Sequence, residues 1–119
     1  MTDELRIASR DTFRRALAEA RADVEERWRQ EARNPVWPVV THMLEHMAER
    51  TDRGREPSLE ERRGNMLGPY VDRELEPAPD DPSAALNQRL KALFLYFAVW
   101  PANGVDPEEL PDEVLLERI

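Results

Sequence analysis

The chain contains no cysteine and only one lysine, Lys91. The missing cysteine excludes a disulfide scaffold, a thiolate zinc site and a Cys nucleophile. Glycine is scarce, with four in 119 residues, and neither a Gly-rich phosphate loop nor a G-x-S-x-G turn occurs. Long apolar runs are lacking as well. The run over 93–100 has eight residues, far below the ~20 that span a bilayer. Met1-Thr2-Asp3-Glu4 is acidic and no apolar segment follows it, so no secretory leader is expected and the reading is a soluble, cytoplasmic protein. Positive charge is in deficit: 17 Lys and Arg face 25 Asp and Glu, a net charge of −8. That balance argues against nucleic acid and anionic membrane as partners. The preference for Arg over Lys, sixteen to one, reads as base-composition bias.

What is present reads as helix. A chain of this length forms one domain and buries roughly two-thirds of its unfolded surface, enough for a core without staples. Phe13, Ala16, Leu17, Ala20, Val24 and Trp28 recur at helical steps, with Ser9 or Thr2 as the cap and Asn34-Pro35 as the stop. Opposite charges at Asp11–Arg15, Asp23–Arg27 and Glu25–Arg29 add support along its surface. A second helix opens around 35–38, where proline suits a first turn, and carries Val36, Val39, Val40, Met43, Leu44 and Met47. Ser58-Leu59-Glu60-Glu61 is a capping box for a third, with Leu59, Met66, Leu67, Tyr70, Val71 and Leu75 on its apolar side, Gly64 weakening it and a kink or split expected at Gly68-Pro69. After a polar connector over 77–82, Asp81 and Pro82 open a fourth. Leu86, Leu90, Leu93, Phe94, Phe97 and Trp100 lie on one side of it, and Leu95, Tyr96 and Val99 make its second half apolar nearly all round. Such a helix is central in its domain or part of an oligomer interface. Asp106-Pro107 and Asp112-Glu113 each start a short turn. The expected fold is all-α: a single domain, 1–119, built as a four-helix antiparallel bundle with short extra C-terminal turns and Phe94 and Phe97 both buried.

Few residues suggest chemistry. His42-Met43-Leu44-Glu45-His46 matches H-x-x-E-H, which sets two imidazoles one helical turn apart with a carboxylate beside them. A third ligand and a cleft are missing from the pattern, so no metal and no cofactor is expected. Adjacent pairs such as Glu25-Glu26, Glu60-Glu61 and Glu108-Glu109 face about 100° apart on a helix and make no acid–base dyad. Arg14-Arg15 and the group Arg50, Arg53, Arg55, Arg62 and Arg63 are the basic clusters, and interleaved Asp52, Glu56, Glu60 and Glu61 offset most of the second. Trp28, Trp37 and Trp100 read as core anchors at helix ends. The acid excess concentrates at the end of the chain: residues 101–119 hold six acids and one base, so −5 of the −8 lies there. Glu108, Glu109, Asp112 and Glu113 are therefore the candidate contacts to a basic protein partner.

The stretch 34–99 resembles the small helical immunity proteins that neutralise NAD-degrading toxins of the bacterial type VI secretion system. The likeness lies in an order of features. Pro35 opens a helix, and Ser58-Leu59 caps the next. Leu67-Gly68-Pro69-Tyr70-Val71-Asp72-Arg73-Glu74-Leu75-Glu76 follows a Leu-Gly-x-x-Val-x-x-Glu-hydrophobic-acid pattern, and Asp81-Pro82 caps a helix rich in Leu and aromatics. The long charged first helix, Pro69 after the glycine and the acidic end depart from that pattern. The resemblance implies a cytoplasmic, non-catalytic helical protein that occludes a toxin's active site. Two other classes stay open: a dimeric regulatory or scaffold protein joined through the last apolar helix, and a small metal-dependent hydrolase using His42 and His46.

Overall fold

The structure, a computed structural model, describes residues 6–75 and 84–118, with side chains to 115. The alternative cap at Thr2, the connector over 77–82 and the Asp81-Pro82 helix start lie outside the described residues. Helix α1 (Arg10–Gln30) begins where the Ser9 hydroxyl accepts the Thr12 N–H at 3.1 Å, satisfying a first-turn donor that has no partner inside the helix. Its inward side is Phe13, Ala16, Leu17, Ala20 and Val24, the spacing expected, while Trp28 is half-buried. Of the expected surface ion pairs Glu25–Arg29 forms, with Glu26 also on Arg29, while Asp11 meets Arg14 and Asp23 crosses to Arg89 at 2.9 Å. The helix stops at Gln30, ahead of Asn34-Pro35. The Asn34 side-chain oxygen accepts the Val36 N–H at 3.1 Å and starts α2 (Val36–Arg50).

Helix α2 buries Trp37, Val40, Leu44 and Met47, with Val36 and Met43 half-buried and Val39 exposed, a narrower stripe than the sequence suggested. The Thr51 hydroxyl donates to the Met47 carbonyl at 2.8 Å and closes it. A 3-10 turn, Asp52–Gly54, then reverses the chain, with Arg53 and Gly54 at φ of 55° and 80°. Ser58 opens α3 (Leu59–Arg63) with the expected capping box: its hydroxyl accepts the Glu61 N–H at 3.1 Å and Glu61 accepts the Ser58 N–H at 2.8 Å. The guanidiniums of Arg55, at 2.8 Å, and Arg50, at 3.1 Å, also close on Glu61. The Arg55 hydrogen bond first, then the Ser58 N–H, hold its carboxyl at about 2.

The third expected helix is two helices, and the break is not at Gly68-Pro69. It falls at Gly64-Asn65-Met66, because Asn65 is buried and spends its side chain on backbone groups. Its oxygen accepts the Leu67 N–H at 3.1 Å and its amide donates to the Met43 carbonyl at 3.0 Å. Such local bonds compete with helix continuation. Gly68 and Pro69 sit instead in the first turn of α4 (Leu67–Glu74), where a missing N–H leaves no hydrogen bond unmade. Glycine is required there: a Cβ at Gly68 would lie 2.4 Å from Cδ2 of Phe94. Leu59 and Met66, expected inward, are 41% and 52% exposed, and the inward residues are Leu67 and Val71.

Helix α5 (Ala84–Val99) packs against α1, α3 and α4, against a 3-10 turn at Pro107–Glu109 and against α6 (Asp112–Arg118). Its Leu86, Leu90, Leu93, Tyr96, Phe97 and Val99 are all buried. The Tyr96 ring stacks on Phe13 at 5.2 Å, and Trp100 stands edge-on to Phe13 at 5.6 Å and to Tyr96 at 5.5 Å. Arg62 of α3 donates to the carbonyls of Ala98 and Val99, at 2.9 and 3.0 Å, at the C-terminal end of α5. Phe94 departs from expectation: it is half-buried over Gly68, whereas Phe97 is fully enclosed. The two short C-terminal turns form where Asp106-Pro107 and Asp112-Glu113 placed them. Among the described residues there is no strand, and no helix is long and apolar enough to cross a membrane.

Two stability predictions follow from this packing. Gly68→Ala should cost about 1–3 kcal/mol through overpacking, and adding Phe94→Ala should relieve part of it. Urea midpoints for the single and double variants check this, and strictly additive losses would contradict the contact. The second prediction concerns Glu61. Its carboxyl falls from 4.5 to about 2 on folding, so the unfolded chain binds its proton first. The stability Glu61 contributes is complete above about pH 4.5 and is lost as pH falls toward about 2. The midpoint gap between wild type and Glu61→Gln should therefore shrink between pH 5.5 and pH 3.

Candidate functional site

The acidic C-terminal segment is tied back onto the start of the chain. Asp106 is 5% exposed, a costly place for a carboxylate unless it is paired. Arg6 supplies the pair: its Nε donates to the Asp106 carboxylate at 2.9 Å, and its Nη2 reaches Glu109 at 3.3 Å. The other Asp106 oxygen accepts the Glu108 N–H at 2.9 Å and shapes the turn Pro107–Glu109. A second tie lies next to it, where the Arg10 N–H donates to the Asn103 side-chain oxygen at 3.0 Å. Ile7 and Pro107 are buried beside these ties, while Leu110, Val114 and Leu115 are half-buried.

The consequence is an ordered display of charge. Glu108 and Glu109 occupy the 3-10 turn, and Asp112 and Glu113 occupy the first turn of α6, where carboxylates suit the positive end of the helix dipole. All four are exposed. Glu109 is partly engaged by Arg6, and the other three face solvent beside it in sequence. The sequence pointed to these four but not to Arg6 and Asp106, which hold them. That pair is separated by 100 residues, and no local spacing rule reaches across such a distance.

The two histidines do different work. His42 is exposed and His46 is half-buried on α2. Nδ1 of His46 lies 3.1 Å from the Asn65 amide nitrogen, and its ring stands edge-on to Phe97 at 5.8 Å. Because that amide nitrogen can only donate, Nδ1 accepts and the neutral ring carries its proton on Nε2. Burial first, then the charge of Arg50, lower the pKa of this imidazole below 6.5. Among the described residues, no three His, Asp or Glu side chains gather to hold a metal ion. Glu45 is exposed on the same helix. His46 thus joins the Asn65 junction that links α2 to α4, and it packs on α5. Of the tryptophans, Trp37 and Trp100 are buried.

No family model, curated protein or solved structure matches the chain.

The histidine geometry carries a pH prediction. Protonating His46 removes the acceptor that Asn65 uses, and the folded pKa lies below the unfolded 6.5. The stabilising contribution of neutral His46 is therefore present above about pH 6.5 and lost as pH falls below it. Wild type should lose denaturant resistance between pH 7.5 and pH 5.5, and His46→Gln should flatten that slope.

Proposed function

We propose that this protein is a cytoplasmic immunity or inhibitor protein that binds a cognate secreted toxin through a basic surface and occludes its active site. It acts without catalysis and without a cofactor. One observation carries the reading: Glu108, Glu109, Asp112 and Glu113 are exposed on two short helical turns, the first tied down by the Arg6–Asp106 pair and the second packed on α5. Charges on an ordered element lose less conformational freedom on binding than charges on a loose tail. A net −8 chain with such a surface also suits electrostatically steered capture of a basic protein. The resemblance of the order of caps and apolar helices over 34–99 to that of immunity proteins supports the same class.

The dimeric reading started from the all-round apolarity of α5. That helix finds cover within its own chain, from α1, α3, α4, α6 and the turn Pro107–Glu109, so its composition needs no second copy. The hydrolase reading started from His42 and His46, and His46 has a packing partner in Asn65.

Affinity purification from the native organism, with mass spectrometry of the co-eluting protein, identifies the partner. The kinetic test then uses Glu108→Gln, Glu109→Gln, Asp112→Asn and Glu113→Gln together. Neutral amides are preferable to lysines, which would oppose the dipole at the start of α6. Removing rim charge should slow association several-fold at low salt and flatten its salt dependence, with little change in dissociation. Association rates that stay equal to wild type across low and high salt would reduce the segment to a solvated surface.

A further inference from the structure

Helix α1, the turn after α2 and the end of α5 enclose an open cleft of about 460 Å³ that the reading above leaves unused. Arg10 and Arg14 of α1 line it with Arg55, Gly54, Trp100 and Asn103. Along the sequence these arginines lie in stretches whose charges offset one another. In the fold all three line one cleft, and among the described lining residues the only carboxylate is Glu56, while Asp11 and Glu61, bonded to Arg14 and Arg55, stand just outside it. The positive charge left without a carboxylate at the cleft is therefore that of Arg10, beside the weakly paired Arg14, in a chain of net charge −8.

Arg10 is the centre of this wall. It is half-buried, its guanidinium carbon sits 4.1 Å from the Trp100 ring centroid, and its Nη1 donates to the Tyr96 hydroxyl and the Pro101 carbonyl, both at 2.6 Å. These neutral acceptors fix where it points and leave its charge uncompensated; no described carboxylate pairs with it. Arg14 has an exposed pairing with Asp11 three residues away, which competes weakly with a ligand. Arg55 is oriented by Glu61 and by the Arg50 carbonyl.

A second observation lies in the backbone. Trp100 has φ of 43°, left-handed for a bulky residue and therefore strained. The strain turns the chain out of α5 and leaves the indole under Arg10. Held strain of this kind concentrates at ligand sites.

Size and charge name the ligand class. The volume falls within the range of about 300–1,000 Å³ typical of small-molecule sites, larger than a bare anion fills. Forked guanidiniums match phosphate geometry, and a phosphate monoester, at about −1.5 to −2 at neutral pH, can engage Arg10 and the weakly paired Arg14 together. We propose that this cleft binds a small organic phosphate. Its phosphoryl oxygens meet Arg10 and Arg14, and its organic body extends along Gly54 and Ala102.

Calorimetric titration of the full chain at low salt, with glycerol 3-phosphate, ribose 5-phosphate and adenosine 5′-monophosphate, tests it. At least one should bind with Kd below about 1 mM, and its dephosphorylated counterpart should not. Arg10→Gln and Arg14→Gln should each weaken binding at least tenfold. Arg10 also braces the end of α5, so circular dichroism checks its variant. If that variant unfolds, Arg14→Gln, on an exposed side chain, decides alone. Absence of binding by all three phosphates, equal binding of a dephosphorylated counterpart, or wild-type affinity in Arg14→Gln would overturn the proposal.

Discussion

A helix whose second half carries apolar side chains nearly all round must be taken out of water there, and α5 imposes that requirement on the chain. Each neighbouring element supplies what its particular side needs. Helix α1 brings Phe13 under Tyr96, α4 brings a glycine so that the Phe94 ring can close on its backbone, and α3 brings Arg62 to the exposed carbonyls of the last turn. The acidic turns at the end of the chain lie against what remains. The surface features described above exist because α5 holds their carriers in place.

Much of this was readable in the sequence where a local rule applied. Ser9, the Ser58–Glu61 box and the two C-terminal turns depend on residues within three positions of one another, and they formed as written. The inward side of α1 followed from its period. The misreadings have physical causes. Asn65 broke the third helix because its partner, the Met43 carbonyl, lies 22 residues away on another helix. Phe94 could not be separated from Phe97 on α5, because the second half of that helix has no polar side to give a phase. Of the charged surface, the exposed acids were legible as a composition bias, whereas the arginine that anchors them, a hundred residues distant, was not.

The preference for arginine, which reads as compositional bias along the sequence, has a structural role. Arg62 donates to carbonyls at the end of α5, Arg10 to Pro101 just beyond it, and Arg55 to the Arg50 carbonyl at the end of α2. A planar guanidinium can bond a main-chain carbonyl while the rest of its fork meets a ring or a carboxylate, as Arg10 does with Trp100 and Arg55 with Glu61. An ammonium at the same position would offer a point charge without that fork. Basic side chains in this protein are therefore helix fasteners as much as surface charge, even though acids dominate the total.

The Arg6–Asp106 tie depends on contacts other than its own. Closing a loop of a hundred residues costs roughly 4 kcal/mol in chain entropy, more than one ion pair returns when a side of it is 55% exposed. The pair cannot hold the two segments together by itself. The packing of Phe13 on Tyr96 keeps α1 beside α5 and brings the two within reach. The placement of the acidic turn is therefore set by the interior, and a change that loosens the interior also loosens charged surface far from it.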